Sequence, residues 1–406
     1  MPIVTSLLDI DWYKLTMAQF VFHRYPDVPV IYGLTNRTVK VRLAETVLLA
    51  DLRDELEAVQ RLTFRADELA FLAAFRRADG TPLYGEDFLG HLASLRLSQF
   101  SLSSGPDGQI DLRFVGPWAE AIFWETIALS IVNELYYRQT APDRDAAYRE
   151  GEVRLAAKIE RLQRYPEVRI TEFGTRRRFS KEWQTRVAAT LANQLPTQLT
   201  GTSNALLAMT LGLPPRGTMA HELFMVLAAV SGAGPESLRA SHGRVLTEWY
   251  QEYGDELSVA LTDTFGSEFF FHDFTAEQAR AWRGLRHDSG DPAAFGATAL
   301  AFYERYGIDS REKQLLFSDG LDVETIVSLW ERFHGSFQLG FGWGTNLTND
   351  LGYAPLSLVV KVVEAAGRGT VKLSDNPAKA QGSPADIARY AQAFGHRRGA
   401  YRETTY

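Results

Sequence analysis

The chain has 406 residues, of which 45% are hydrophobic, 12% aromatic and 23% charged, with a formal net charge of −7 and no cysteine. That length suits two or three domains, or one large barrel with additions, and the ordinary composition argues against disorder. The acidic balance excludes a chain-wide basic footprint for nucleic acid or anionic lipid, and the missing cysteines exclude disulfides, thiolate nucleophiles and cysteine-held zinc, which fits a reducing cytoplasm.

Met1 to Lys14 carries Asp9 and Asp11 and has no basic start followed by an apolar stretch, so it does not read as a secretory signal. Residues 1–165 predict an N-terminal α+β domain with linking helices. It contains a strand over Val28–Thr35, a hairpin of Leu95–Phe100 and Ile110–Phe114 turning at Pro106-Asp107-Gly108, and helices over Trp118–Tyr137 and Asp143–Gln163. The first of these helices is the longest apolar region, but Glu120, Glu125 and Glu134 interrupt it, so it reads as a core helix and not a membrane span.

From Val168 the rhythm changes to short apolar runs, each ending in a polar cluster and leading into a helix. Seven such ends are Thr171–Gly174, Thr200–Ser203, Gly217–His221, Leu261–Thr264, Arg286–Ser289, Phe317–Gly320 and Gly342–Thr345. They predict an α/β fold, an irregular (β/α) barrel over 166–350, whose strand carboxyl ends would converge on the active site. A doubly wound open sheet is the alternative. Strand-like runs at Leu356–Val363 and Thr370–Leu373 and a helix from Pro384 follow, and segment 351–406 is expected to return to the N-terminal domain.

Several strand ends suit anions. Asp319-Gly320 and Gly342-Trp343-Gly344-Thr345 offer backbone amides with little side chain in the way, whereas no P-loop or dinucleotide-binding glycine pattern is present. Arg286-His287-Asp288-Ser289-Gly290-Asp291-Pro292 sets a guanidinium for a ligand carboxylate beside Asp288, which could face a developing cation, while Asp291 or Ser289 could simply cap the next helix. Arg176-Arg177-Arg178 opposes the dipole of a following helix, which calls for an anionic partner for at least one of the three. His221 follows the Gly217-Thr218 turn beside Glu222. It reads either as a covalent phosphate carrier or as a satisfied core histidine, and no histidine in the chain has metal-ligand spacing.

Taken together, Asp11-Trp12-Tyr13-Lys14-Leu15-Thr16-Met17, Glu172-Phe173-Gly174-Thr175-Arg176-Arg177-Arg178, Gly201-Thr202-Ser203-Asn204, Gly217-Thr218-Met219-Ala220-His221-Glu222, Leu261-Thr262-Asp263-Thr264-Phe265-Gly266, Arg286-His287-Asp288-Ser289-Gly290-Asp291-Pro292, Phe317-Ser318-Asp319-Gly320, Gly344-Thr345-Asn346-Leu347-Thr348-Asn349-Asp350 and Lys372-Leu373-Ser374-Asp375-Asn376-Pro377 resemble nicotinate phosphoribosyltransferase, over nearly the whole chain. The resemblance implies an α/β domain joined to an irregular barrel. The implied reaction turns nicotinate and phosphoribosyl pyrophosphate into nicotinate mononucleotide and pyrophosphate, with magnesium and with ATP hydrolysis coupled through a phosphohistidine at His221. It also implies a cytoplasmic homodimer with shared active sites and with neither nucleic acid nor membrane as partner.

By the same resemblance, a neighbouring subunit's Tyr13 would stack with Phe173 on the pyridine ring, Arg286 would hold nicotinate, and Ser203 would face its carboxylate. Arg176 would sit near the nucleotide phosphate, Thr202, Asp319, Gly320, Gly342, Gly344 and Thr345 would cradle the phosphoribosyl group, and Arg37, Lys361 and Lys372 would contact the pyrophosphate end. Asp288 would stabilise the ribosyl cation, and Glu222 or a strand-end acid would orient His221. Arg37 departs from the family pattern, because Leu34-Thr35-Asn36 before it is less aromatic. Nicotinamide phosphoribosyltransferase is the nearest rival, and there an aspartate is expected in place of Ser203. A non-catalytic nucleotide-binding relative would need neither His221 nor Asp288.

Overall fold

The computed structural model describes residues 2–105 and 107–396. The strands are β1 (Pro29–Asn36), β2 (Gln99–Ser104), β3 (Ile110–Pro117), β4 (Ile170–Glu172), β5 (Leu199–Thr202), β6 (Val259–Leu261), β7 (Gly284–His287), β8 (Gln314–Phe317), β9 (Gln338–Trp343), β10 (Leu358–Ala365) and β11 (Arg368–Gly369). Two compact units form, each discontinuous in sequence. The first takes the described residues up to Gly217 with Trp343–Lys361, and the second takes Thr218–Gly342 with the described residues from Val362 onward.

In the first unit β1 pairs antiparallel with β3, and β3 with β2, in the register Tyr32↔Phe114 and Phe100↔Phe114. Burial alternates along β3, so Ile110, Leu112 and Phe114 face the core while Asp111 and Arg113 face water, as a half-buried sheet requires. Helix α1 (Trp12–Arg24) is buried from Trp12 through Val21. The long predicted helix is broken. A short turn of helix, Trp118–Ala121, precedes α2 (Trp124–Thr140), whose Trp124 stacks on Phe114 with ring centroids 4.5 Å apart. Helix α3 (Arg144–Gln163) starts where Asp143 accepts a hydrogen bond from the Ala146 amide at 2.8 Å. Parallel strands β4 and β5 align Glu172 with Thr202.

The second unit carries β6 to β9 as consecutive parallel neighbours, with Leu261↔Arg286, His287↔Phe317 and Phe317↔Phe341 in register. Helices α4 (His221–Ser231), α5 (Pro235–Tyr253) and α6 (Pro292–Arg305) belong to this unit, as does the terminal α7 (Pro384–Phe394), which begins at the predicted Pro384. Phe265 stacks on Phe394 with centroids 4.0 Å apart, fixing α7 to the loop after β6.

Parallel strands followed by helices, with a separate antiparallel sheet, are the mixed α/β class expected from the sequence, although the strand orders run linearly. Three local expectations need correction. No strand precedes Gly217–His221, because Pro214 and Pro215 lack the amide hydrogens that a ladder needs, and only an isolated bridge joins Pro215 to Thr202. Thr370–Leu373 forms no strand either, since its pairing is reduced to one bridge between Lys372 and Gln381. The first hairpin strand begins at Gln99, not Leu95, because the helix Glu86–Ser94 ends just before Leu95 and the pairing with β3 starts only at Gln99↔Val115. Asp107 and Gly108 lie between β2 and β3, and Pro106 falls outside the described residues. Among the described residues no helix is long and apolar enough to cross a membrane.

Candidate active site

His221 is the first residue of α4, a position fixed by the extended Ala220 before it and the apolar run after it. The ring is buried, and both nitrogens are engaged. Nδ1 lies 3.0 Å from Thr264 Oγ1, while Nε2 lies 2.7 Å from Asp288 Oδ2 and 2.9 Å from Lys372 Nζ. Lys372 also ion-pairs Asp263 at 3.2 Å, and the Lys372 backbone is pinned by exchange with Gln381 while Leu373 N donates to Thr264 O. Ser318 Oγ donates to Asp288 Oδ1 at 3.0 Å, and Ser289 Oγ donates to Asp263 at 2.5 Å. Two strand ends, one helix start and one bridge thus focus two aspartates, a histidine and a lysine on one point.

Burial, helped by the Lys372 ammonium, pulls His221 down to about 4 against the pull of Asp263 and Asp288, so the imidazole is neutral at pH 7. Burial pushes Asp288 up, but the His221 hydrogen bond and the charges of Arg286 and Lys372 outweigh it and hold the carboxyl well below its usual range. Asp263 goes the same way, with Lys372 overcoming burial. The residue that orients His221 is therefore the strand-end acid Asp288, with Thr264 on the opposite nitrogen.

Arg286, on β7, donates from Nη1 to the carbonyl of Met219, two residues before His221, and its buried Nε has no hydrogen-bond partner among the described residues. Asp291 caps α6 by accepting from the Ala294 amide at 2.8 Å, whereas Ser289 donates to Asp263. Asp319 ion-pairs Lys379, whose ammonium also donates to the Asp288 carbonyl at 3.1 Å. Gly320 turns beside it with φ of 59°, and Gly342 is half-buried near the end of β9. Asp263 and Thr264 were legible only as part of a polar strand end. Lys379 carried no sequence signal, since proximity to Asp319 is made by the fold.

The other site residues lie in the first unit. Ser203 is fully buried and donates to Asp11 Oδ1 at 2.6 Å, and the second oxygen of Asp11 ion-pairs Arg176 Nε at 3.1 Å. The Ser203 proton is thus committed to a carboxylate of the same chain. Burial raises the Asp11 pKa, opposed by Arg176 and Ser203. The Tyr13 ring is buried within its own chain, with the Arg176 guanidinium 5.7 Å from its centroid. Lys361 Nζ donates to Glu125 at 2.6 Å. Thr202 Oγ1 donates to Glu172 at 2.5 Å, and Glu172 also accepts the Gly174 amide.

Phe173, half-buried, donates its amide to Trp343 O, and Gly344 packs so closely on the Phe173 carbonyl that a Cβ there would lie 2.9 Å from the oxygen. Thr345 opens the short helix Thr345–Thr348, and Arg37 directly follows β1 with its amide donating to Ser357 O. The anion demanded by the arginine run is internal for Arg178, which grips Asp9 through two hydrogen bonds of 2.7 and 2.9 Å.

Charged and hydroxyl side chains gathered at the carboxyl ends of parallel strands define an α/β enzyme of the β/α type, with a second, antiparallel sheet. The chain belongs to the nicotinate phosphoribosyltransferase (NAPRTase) family. The family profile matches residues 168–397 and the profile of the family's N-terminal domain matches 8–133. The structure is similar to that of a nicotinate phosphoribosyltransferase from Porphyromonas gingivalis, at 30% identity over 97% of this chain and 100% of that one, with a TM-score of 0.86. It is also similar to one from Vibrio cholerae, at 33% identity over 97% and 94% with a TM-score of 0.85. A putative one from Saccharomyces cerevisiae matches at 27% identity over 98% and 99%, with a TM-score of 0.84.

Proposed function

We propose that this chain transfers the phosphoribosyl group of phosphoribosyl pyrophosphate to the ring nitrogen of nicotinate, and that ATP hydrolysis drives the transfer through His221. The pyridine nitrogen forms the bond to ribose C1 as the C1–oxygen bond to pyrophosphate breaks, giving nicotinate mononucleotide and pyrophosphate. No protein nucleophile is needed for that step. Asp288, held ionised, stabilises the cationic ribose carbon, and Arg286 receives the nicotinate carboxylate. With the Ser203 hydroxyl committed to Asp11, preference for the acid over the amide rests on arginine rather than on that hydroxyl.

The observation that carries the coupling is the placement of His221. Its neutral ring sits at the amino terminus of an 11-residue helix, where a bound phosphoryl group meets backbone amides and the helix dipole. Nε2 of His221 forms the bond to the γ-phosphorus as the γ-phosphorus–oxygen bond to ADP breaks, its proton passing to Asp288, and water then attacks the phosphorus, releasing phosphate as a proton returns to Nε2. Asp288 steadies the ring, and Lys372 lies where it offsets phosphoryl charge. The donors of His221, Asp263 and Asp288 lie within 4.8 Å of one another, and Asp263 Oδ1 is buried without a hydrogen-bond partner among the described residues. The two carboxylates fit magnesium, which when bound would neutralise phosphate charge.

Purified protein given magnesium, phosphoribosyl pyrophosphate and nicotinate is expected to form nicotinate mononucleotide, faster with ATP, as read by chromatography. Turnover of nicotinamide in place of nicotinate would overturn the substrate. Label from γ-labelled ATP that persists on His221→Ala would overturn the phosphohistidine.

A further inference from the structure

Glu125 on α2 is only 1% exposed, yet it is the meeting point of three cations. Lys14 Nζ ion-pairs its Oε2 at 2.6 Å, Lys361 Nζ donates to Oε1 at 2.6 Å, and Arg176 Nη1 lies 3.8 Å from Oε1. Lys14 is fully buried, with its ammonium 5.7 Å from the Tyr13 ring centroid and 5.9 Å from that of Tyr32. The other two cations reach outward, with side-chain exposures of 12% for Lys361 and 34% for Arg176. With Asp11, which ion-pairs Arg176, these side chains carry three positive and two negative charges.

One cation suffices to neutralise a buried carboxylate. Three cations on one carboxylate repel one another, and such a gathering is favourable when a polyanion meets its outer members. The layering fits that purpose: Glu125 and Lys14 lie beneath, and Lys361 and Arg176 lie above. We propose that Glu125 is a positioning residue that holds Lys14, Lys361 and Arg176 as one cationic cluster, whose outer members receive a pyrophosphate-class anion. Identifying that anion as the pyrophosphate end of the substrate rests on the proposed transfer reaction.

Glu125→Gln keeps the shape and removes the charge. Removing a negative charge near an anion site should by itself tighten anion binding, whereas loss of positioning should weaken it. Titration calorimetry of wild type and Glu125→Gln with inorganic pyrophosphate is expected to show binding weakened about tenfold or more. The KM for phosphoribosyl pyrophosphate should rise in step while that for nicotinate stays within about twofold, and Glu125→Asp should recover part of the loss. A folded Glu125→Gln that binds pyrophosphate as tightly as wild type, or that shifts both KM values equally, overturns the proposal. If circular dichroism shows Glu125→Gln unfolded, Lys14→Met replaces it, with weakening of about threefold expected and unchanged binding overturning the cluster.

Calorimetry needs no turnover, so the two readings fail separately. Wild type that binds pyrophosphate in the expected pattern but makes no nucleotide sinks the transfer reaction and leaves the cluster standing. Wild type that makes the nucleotide while Glu125→Gln binds pyrophosphate undiminished sinks the cluster alone.

Discussion

One ring nitrogen of His221 meets opposite charges, with Asp288 at 2.7 Å and Lys372 at 2.9 Å. A proton on Nε2 satisfies Asp288, which can only accept, and leaves Nδ1 to accept from the Thr264 hydroxyl, so Asp288 selects the tautomer and Thr264 holds it. Thr264→Val is expected to cut ATP-dependent labelling of the protein about tenfold while leaving transfer without ATP unchanged, which single-turnover labelling beside a steady-state assay would read. The same histidine sets a pH dependence. Its folded value of about 4 lies below its ordinary 6.5, so the unfolded chain takes up a proton that the folded one refuses. The stability this provides is complete above about pH 6.5 and is lost as pH falls toward 4. Thermal melts at pH 7 and pH 5 should therefore fall less in His221→Gln than in wild type. Arg286, Asp288 and His221 were legible as residues because each stands in a distinctive run. Asp11, Glu125 and Lys379 were not, because only folding brings each to its partners.

At the scale of elements, the alternation of short strands and helices after Val168 was legible because the apolar runs match the length of buried strands. It failed where prolines 214 and 215 mimic an apolar strand while lacking its donors. Glycine marks the tightest junction between elements. A Cβ on Gly174, just after β4, would lie 1.9 Å from Thr348 Oγ1 and 2.4 Å from its Cγ2, so backbone and loop touch without a side chain between them. Gly174→Ala is expected to destabilise the protein by about 1–3 kcal/mol, seen as a lower urea midpoint at unchanged slope. The arginine run shows the limit of reading charge along a chain. The run called for an anion at one arginine or more, and for Arg178 that anion is a carboxylate 169 positions away in the same chain.

For the whole molecule, the homodimer that the sequence resemblance implies predicts a particle of twice the 45.5 kDa chain mass in multi-angle light scattering, and a monomer mass in the fully active state would refute it. The sequence by itself determined the mixed α/β class, the kinship over nearly the whole chain, and which strand ends carry charge. These follow from periodicity and from residue types in fixed local order, which contacts a few residues apart enforce. Only the tertiary structure decided that Asp288 and Thr264 hold His221, that Asp11 accepts the Ser203 hydrogen bond, and that Glu125 gathers three cations. Each of those pairings joins residues that lie tens to hundreds of positions apart. Burial then decides which partner wins, because a charge removed from water must be met by whatever group the fold places beside it.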